Sequence, residues 1–165
     1  MQHAPLGDLF KAVFRDHPAA VTVITAITAD GPVGLTASSV ASVAVDPPAL
    51  SFSVTRSTGS AGGLLGAERL QVHFVTPEHA GVAMSFARSG DERFTPEQGW
   101  SFDADGSPRL DGARARVAGK IAGTIPVGSS MLVVLEVDEI DDGEPGEPLV
   151  FADRTFRRLG GIVSM

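Results

Sequence analysis

The sequence contains no cysteine. That removes disulfides, thiolate metal sites and cysteine nucleophiles together, and is compatible with a reducing compartment. Basic charge is also scarce: 13 Lys and Arg stand against 20 Asp and Glu, for a formal net charge of -7. A duplex-binding protein needs a basic footprint to neutralise phosphates, so no nucleic-acid partner is expected. No apolar run approaches the roughly 20 residues that span a bilayer. Met1–Pro5 lack the basic and apolar regions of a signal peptide. No membrane association is expected, and a cytoplasmic location is. Two phosphate-cradling motifs are missing as well, the G-x-G-x-x-G of dinucleotide folds and the G-x-x-x-x-G-K-[ST] loop. The four histidines, His3, His17, His73 and His79, make no metal-ligand pattern, so no metal is expected.

What remains reads as one globular domain over 1–165, with 43% hydrophobic and 20% charged residues. Nineteen glycines and 11 prolines call for many turns. Apolar residues at Leu6, Leu9, Phe10, Val13 and Phe14 have helical spacing, and Pro18 ends that run. Ala20–Thr28 and Val33–Val45 are rich in β-branched and small residues around the turn Ala29-Asp30-Gly31-Pro32, as in a strand pair. Asp46-Pro47-Pro48 breaks the pattern before a short buried strand at Ala49–Val54. A loop opening into a helix (57–68), a strand (70–76) and a helix beginning at Pro77 follow. The stretch 88–111 is polar and too long for a plain connection, as functional or mobile loops are. Strands are expected at 113–125, 131–140 and 149–159, the last closing the sheet. Six or seven strands without βαβ alternation point to a mainly β, α+β fold. The expected form is a split, antiparallel, Greek-key-like barrel with two or three short peripheral helices.

The informative stretch is Gly34-Leu35-Thr36-Ala37-Ser38-Ser39-Val40. Small residues in a row let a flat ring lie close to the backbone, with hydroxyl and amide groups bonding its polar edge. The same composition fits a strand packed under a helix. Seven acids between Glu136 and Glu147 read as a solvated loop, since their spacing lacks a calcium-loop pattern. Trp100, inside the long polar stretch, fits either a cover for a ligand or a local packing residue.

Order and spacing decide more than any one motif. Gly34–Val40, Asp46–Pro48, Ser53–Thr58, Phe86–Phe94, Pro148–Phe151 and Arg157–Leu159 succeed one another as in the short-chain flavin reductase family, which the chain resembles from about residue 9 to 160. The resemblance implies a homodimeric split barrel that uses NADH or NADPH to reduce FMN or FAD for a partner monooxygenase. Carried over by position, Thr36, Ala37, Ser38, Ser39 and Val40 would line the flavin ring. Ser53, Val54, Ser57 and Thr58 would approach its ribityl chain and phosphate. Arg93 would be the phosphate cation, with Ser89 and Gly90 in the same loop, although a surface place for Arg93 is an equal reading. No side chain need act as acid or base, because the flavin carries the chemistry. The chain departs from the family at Gly128-Ser129-Ser130, where Ser130 stands in place of a histidine, and at Leu135, where a small residue is usual. Ser130 and His73 are therefore the nicotinamide-side candidates, with a buried structural role the favoured reading for His73. The departures keep open a flavin-binding protein without turnover, or a split-barrel oxidoreductase using another cofactor such as a deazaflavin.

Overall fold

The computed structural model describes residues 4–55 and 59–164. An N-terminal helix, α1 (Leu6–Arg15), leads into a two-residue strand β1 (Ala19–Ala20) and then β2 (Thr22–Thr28). β3 (Gly31–Ala37), β4 (Ala41–Val45) and β5 (Pro48–Thr55) follow, with α2 (Gly59–Gly66) and β6 (Leu70–Phe74) after them. A 3-10 turn at Pro77–His79 opens α3 (Ala80–Ala87). The short strands β7 (Trp100–Phe102) and β8 (Pro108–Leu110) precede two long ones, β9 (Ala115–Val127) and β10 (Ser130–Asp142). β11 (Leu149–Ala152) and β12 (Thr155–Arg158) end the fold.

Seven strands form one antiparallel sheet in the order β3-β2-β6-β9-β10-β5-β4. Its two outer strands, β3 and β4, are consecutive in the chain and separated only by Ser38, Ser39 and Val40. Four Cα steps reach at most about 14 Å, so the sheet must curl until its edges nearly meet. The interior of the curl holds Ile24, Phe52, Leu64, Leu70, Val133 and Leu135, and full burial of each such side chain is worth roughly 1.5–3 kcal/mol. β2 is buried on both faces, as period-two alternation requires of a covered strand: Ile24 points inward, while Val23 points outward under α3 and the β7–β8 hairpin, beside Phe86 and Trp100.

Several expectations are corrected here. The run 33–45 is two strands, because its small residues leave the ladder at Ser38 and re-enter it paired with β5. Asp46-Pro47 is the turn of the β4–β5 hairpin, and Pro48 begins β5, the one strand position that needs no N–H donor. The long polar stretch carries a hairpin, β7–β8, as well as loop. Leu149–Leu159 does not close the main sheet; β11 and β12 form a separate three-stranded sheet with β1. Most of the acid cluster lies on β10. Val133, Leu135 and Val137 point inward, and a bulge between Val137 and Glu139 turns both Asp138 and Glu139 outward toward arginines.

Candidate functional site

The seam of the curled sheet is where the site lies. Ser38–Val40 belong to neither strand ladder, and Ser39 supplies the missing link. Its Oγ accepts the Ser53 N–H at 2.9 Å and donates to the Ser53 carbonyl at 3.4 Å. Beside this seam opens a groove of about 980 Å³. Ser38, Ser39, Val40 and Ser53 form its sheet wall; Phe10 and Phe14 of α1 and Phe151 of β11 supply aromatic faces. A bed of side chains no larger than valine, hydroxyls and amides outside the ladder, and aromatic walls together fit a flat ring system with a polar edge, as a flavin has.

Strand alternation divides the expected residues. Ser38, Ser39, Val40 and Ser53 line the groove. Ala37 and Val54 point into the barrel core, at 5% and 3% exposure, and Thr36 donates its hydroxyl to the Ala83 carbonyl of α3 at 2.6 Å. These three support the bed from behind, and for Thr36 the strand-under-a-helix reading holds. Ser57 and Thr58 lie outside the described residues. Ser89 and Gly90 sit in an exposed loop after α3. Ser130 opens β10 opposite Thr55 and Val127, half-buried at the sheet's end rather than in the groove wall.

Arg93 is half-buried behind β3. Its Nη1 donates to the Gly34 carbonyl (2.8 Å) and Ser60 Oγ (3.0 Å), its Nε to the Ser85 carbonyl, and its Nη2 to the Arg88 carbonyl (2.7 Å). Four of a guanidinium's five N–H donors are thus committed to the protein. Burial lowers its pKa against the opposing pull of the Asp91 charge, but a guanidinium stays protonated throughout. Its first task is to hold β3, α2 and α3 together.

His73 lies in the core, the structural place favoured for it, and not on the nicotinamide side. It is fully buried, with Nδ1 3.1 Å from the Val23 carbonyl and Nε2 3.2 Å from the Pro108 carbonyl, and Trp100 packs edge-on to it. Burial pushes its pKa down to about 4. Nearby, Gln71 donates to Ser107, and buried Arg116 reaches Asp103 at 2.7 Å and Glu139 at 3.4 Å. Burial raises the Asp103 carboxyl, but Arg116 and Arg109 outweigh it and hold the pKa below the usual value. These ties strap the β7–β8 hairpin onto the sheet. Trp100 accordingly packs locally among Phe86, Phe94 and His73. Leu135 is fully buried and points into the barrel interior.

The residues that sequence reasoning missed are Phe10, Phe14, Phe151 and Arg154. The apolar stripe of α1 was visible, but a stripe alone does not tell a core helix from one lying across a groove; here all five of its large apolar residues are more than half exposed.

Comparison with known proteins adds a second line of observation. The family model described as "Flavin reductase like domain" matches residues 14–160. An NADH:FMN oxidoreductase of Rhodococcus qingshengii is 36% identical over 156 residues, covering 92% of this chain and 81% of the relative. The 4-hydroxyphenylacetate 3-monooxygenase reductase component of Pseudomonas aeruginosa is 33% identical over 161 residues, covering 96% and 95%. Among solved structures, a flavin reductase domain protein from Arthrobacter sp. FB24 superposes with a TM-score of 0.88 at 30% identity, covering 96% of this chain and 99% of that one.

Proposed function

This chain belongs to the flavin reductase-like domain family, and on that footing we propose that it is an NAD(P)H-dependent flavin reductase supplying reduced FMN or FAD to a partner monooxygenase. The observation that carries the reading is the groove at the seam, whose small hydroxylic bed and aromatic walls suit an isoalloxazine. A flavin held there would supply the redox chemistry of hydride transfer from a pyridine nucleotide. The chain's own residues bind and orient. Ser39, fixed at both ends of its hydroxyl by Ser53, sets the width of the bed. Ser38 and the seam amides would hold the polar edge of a ring bound there, while Phe10, Phe14 and Phe151 would exclude water from its surface. We assign Ser53, Ser57, Thr58 and Ser89 to the ribityl and phosphate end, with Arg93 supporting it from behind, and Ser130 to the nicotinamide side. The relatives named as an NADH:FMN oxidoreductase and a monooxygenase reductase component support the reductant and the partner.

We further read residues 1–165 as one domain, the protein as a cytoplasmic homodimer, and its encounter with the oxygenase as one mediated by diffusing flavin. Among the described residues no helix is long and apolar enough to cross a membrane. Ser130 favours a second reading, flavin binding without nicotinamide turnover, because a serine cannot titrate near neutral pH as an imidazole does. Titration with FMN and FAD followed by NADH and NADPH oxidation under air separates the two. Saturable flavin binding with rapid nucleotide oxidation is expected. Binding without oxidation selects the second reading, and no binding of either flavin overturns both.

A further inference from the structure

Among the described residues, Arg154 is the groove cation left without a partner. It and Asp153 form the two-residue turn between β11 and β12, closed by the Ala152–Thr155 pair. Both are left-handed, with φ of 58° and 50°. Hairpin turns of this kind favour glycine or asparagine, since a larger side chain crowds the backbone there. Asp153 is occupied: its N–H donates to the Arg15 carbonyl at 2.6 Å, and its carboxylate accepts from Arg15 Nε at 2.9 Å. The turn is therefore fixed against α1, and Arg154 is held at the groove beside Phe151.

The other Lys and Arg of the groove wall are already paired: Lys11 lies 3.6 Å from Asp8, and Arg15 is bound to Asp153. Arg154 has no ion-pair or hydrogen-bond partner among the described residues. The groove wall carries Lys11, Arg15 and Arg154 against one acid, Asp8, in a chain of net charge -7. We propose that Arg154 recognises a phosphate of the nucleotide bound in this groove, using the paired N–H donors with which guanidinium grips phosphate oxygens. The proposal rests on the flavin reductase reading. The shared chemistry is a nucleotide phosphate, which belongs either to the flavin or to the pyridine nucleotide.

Arg154→Gly tests it, because glycine accepts the left-handed turn while the cation is removed. The comparison sets FMN against riboflavin, and NADH against N-benzyl-dihydronicotinamide, a hydride donor without phosphate. One phosphate-bearing ligand is expected to lose about tenfold in KM, with kcat nearly unchanged, as for a lost charge-assisted hydrogen bond. Its phosphate-free counterpart keeps wild-type kinetics, and the melting temperature does not fall. A loss with FMN assigns the flavin phosphate; a loss with NADH assigns the pyridine nucleotide. Arg154→Lys, which keeps the charge without the fork, should fall between. Unchanged kinetics with both nucleotides, or equal losses with the phosphate-free ligands, overturns the proposal. Wild-type protein that neither binds flavin nor oxidises NADH or NADPH overturns the reductase reading itself.

Discussion

His73 shows how far one residue's role depends on where its strand is covered. The sequence leaves this histidine between a buried structural role, the favoured one, and a donor to the nicotinamide; in the fold both faces of its sheet are occupied, and its two ring nitrogens meet backbone carbonyls. A neutral imidazole donates to one carbonyl only, and the buried charged form is held off until about pH 4, against 6.5 for an ordinary histidine. The sign follows from linkage. Between those values the unfolded chain binds a proton that the folded chain does not, so stability is full above about pH 6.5 and declines as pH falls to about 4. The loss is on the order of 3 kcal/mol for a shift of this size. Asp103, Asp105, Asp138 and Glu78 are held below their ordinary carboxylate values by their partners, so the stability they add is present above those values and is lost only as pH falls through the lowered ones. Urea unfolding across this pH range should show the decline, and His73→Gln, which does not titrate, should flatten it. The groove residues were legible in part. Ser38, Ser39 and Val40 of the small-residue run, and Ser53 placed by the family resemblance, line the groove. Thr36, Ala37 and Val54 face away because a strand sends neighbours to opposite sides.

At the scale of elements, Arg93 and Gly34 determine how the bed is supported. A Cβ on Gly34 would come within 2.8 Å of the Phe86 ring and 3.0 Å of the Ile24 carbonyl, so α3 packs on β3 only because that position is bare. Arg93 then joins β3, α2 and α3 through Gly34, Ser60, Ser85 and Arg88. Arg93→Ala should lower unfolding stability by about 2 kcal/mol, since it removes four hydrogen bonds and leaves partly buried acceptors unpaired. Urea denaturation measures this, and a variant as stable as the wild type would rule out the supporting role. The elements themselves were mostly readable from period and punctuation. The β7–β8 hairpin was not, because its strands are three residues each and owe their order to His73, Gln71 and Arg116 on distant strands.

For the whole molecule, apolar surface remains uncovered. The exposed stripe of α1 is one part; another follows the row Ser53–Leu132–Ile125 across the outer face of the sheet, leading away from the groove. Directly opposed residues share a face, so Ile125 and Val127, 56% and 63% exposed, extend the groove wall outward. Contiguous exposed apolar area of this kind marks an interaction surface, and a second copy is its expected occupant. Sedimentation should therefore give twice the 17.1 kDa chain mass. Ile125→Glu should shift the protein toward monomer and weaken flavin binding. A wild-type monomer that binds flavin fully would remove the dimer from the site.

The sequence by itself determined the mainly β class, the helices at both flanks of the first hairpins, and a seam of small hydroxylic residues, because period, turn chemistry and residue size are local properties. It also carried the family, through motifs whose order survives in one dimension. Only the tertiary structure decided which of those residues reach the groove, and that Arg93 holds the fold while Arg154 lines the groove with no partner among the described residues. It alone turned the acidic run into arginine-paired strand. Each of these depends on partners tens of residues away, which only the curling of the sheet brings into contact.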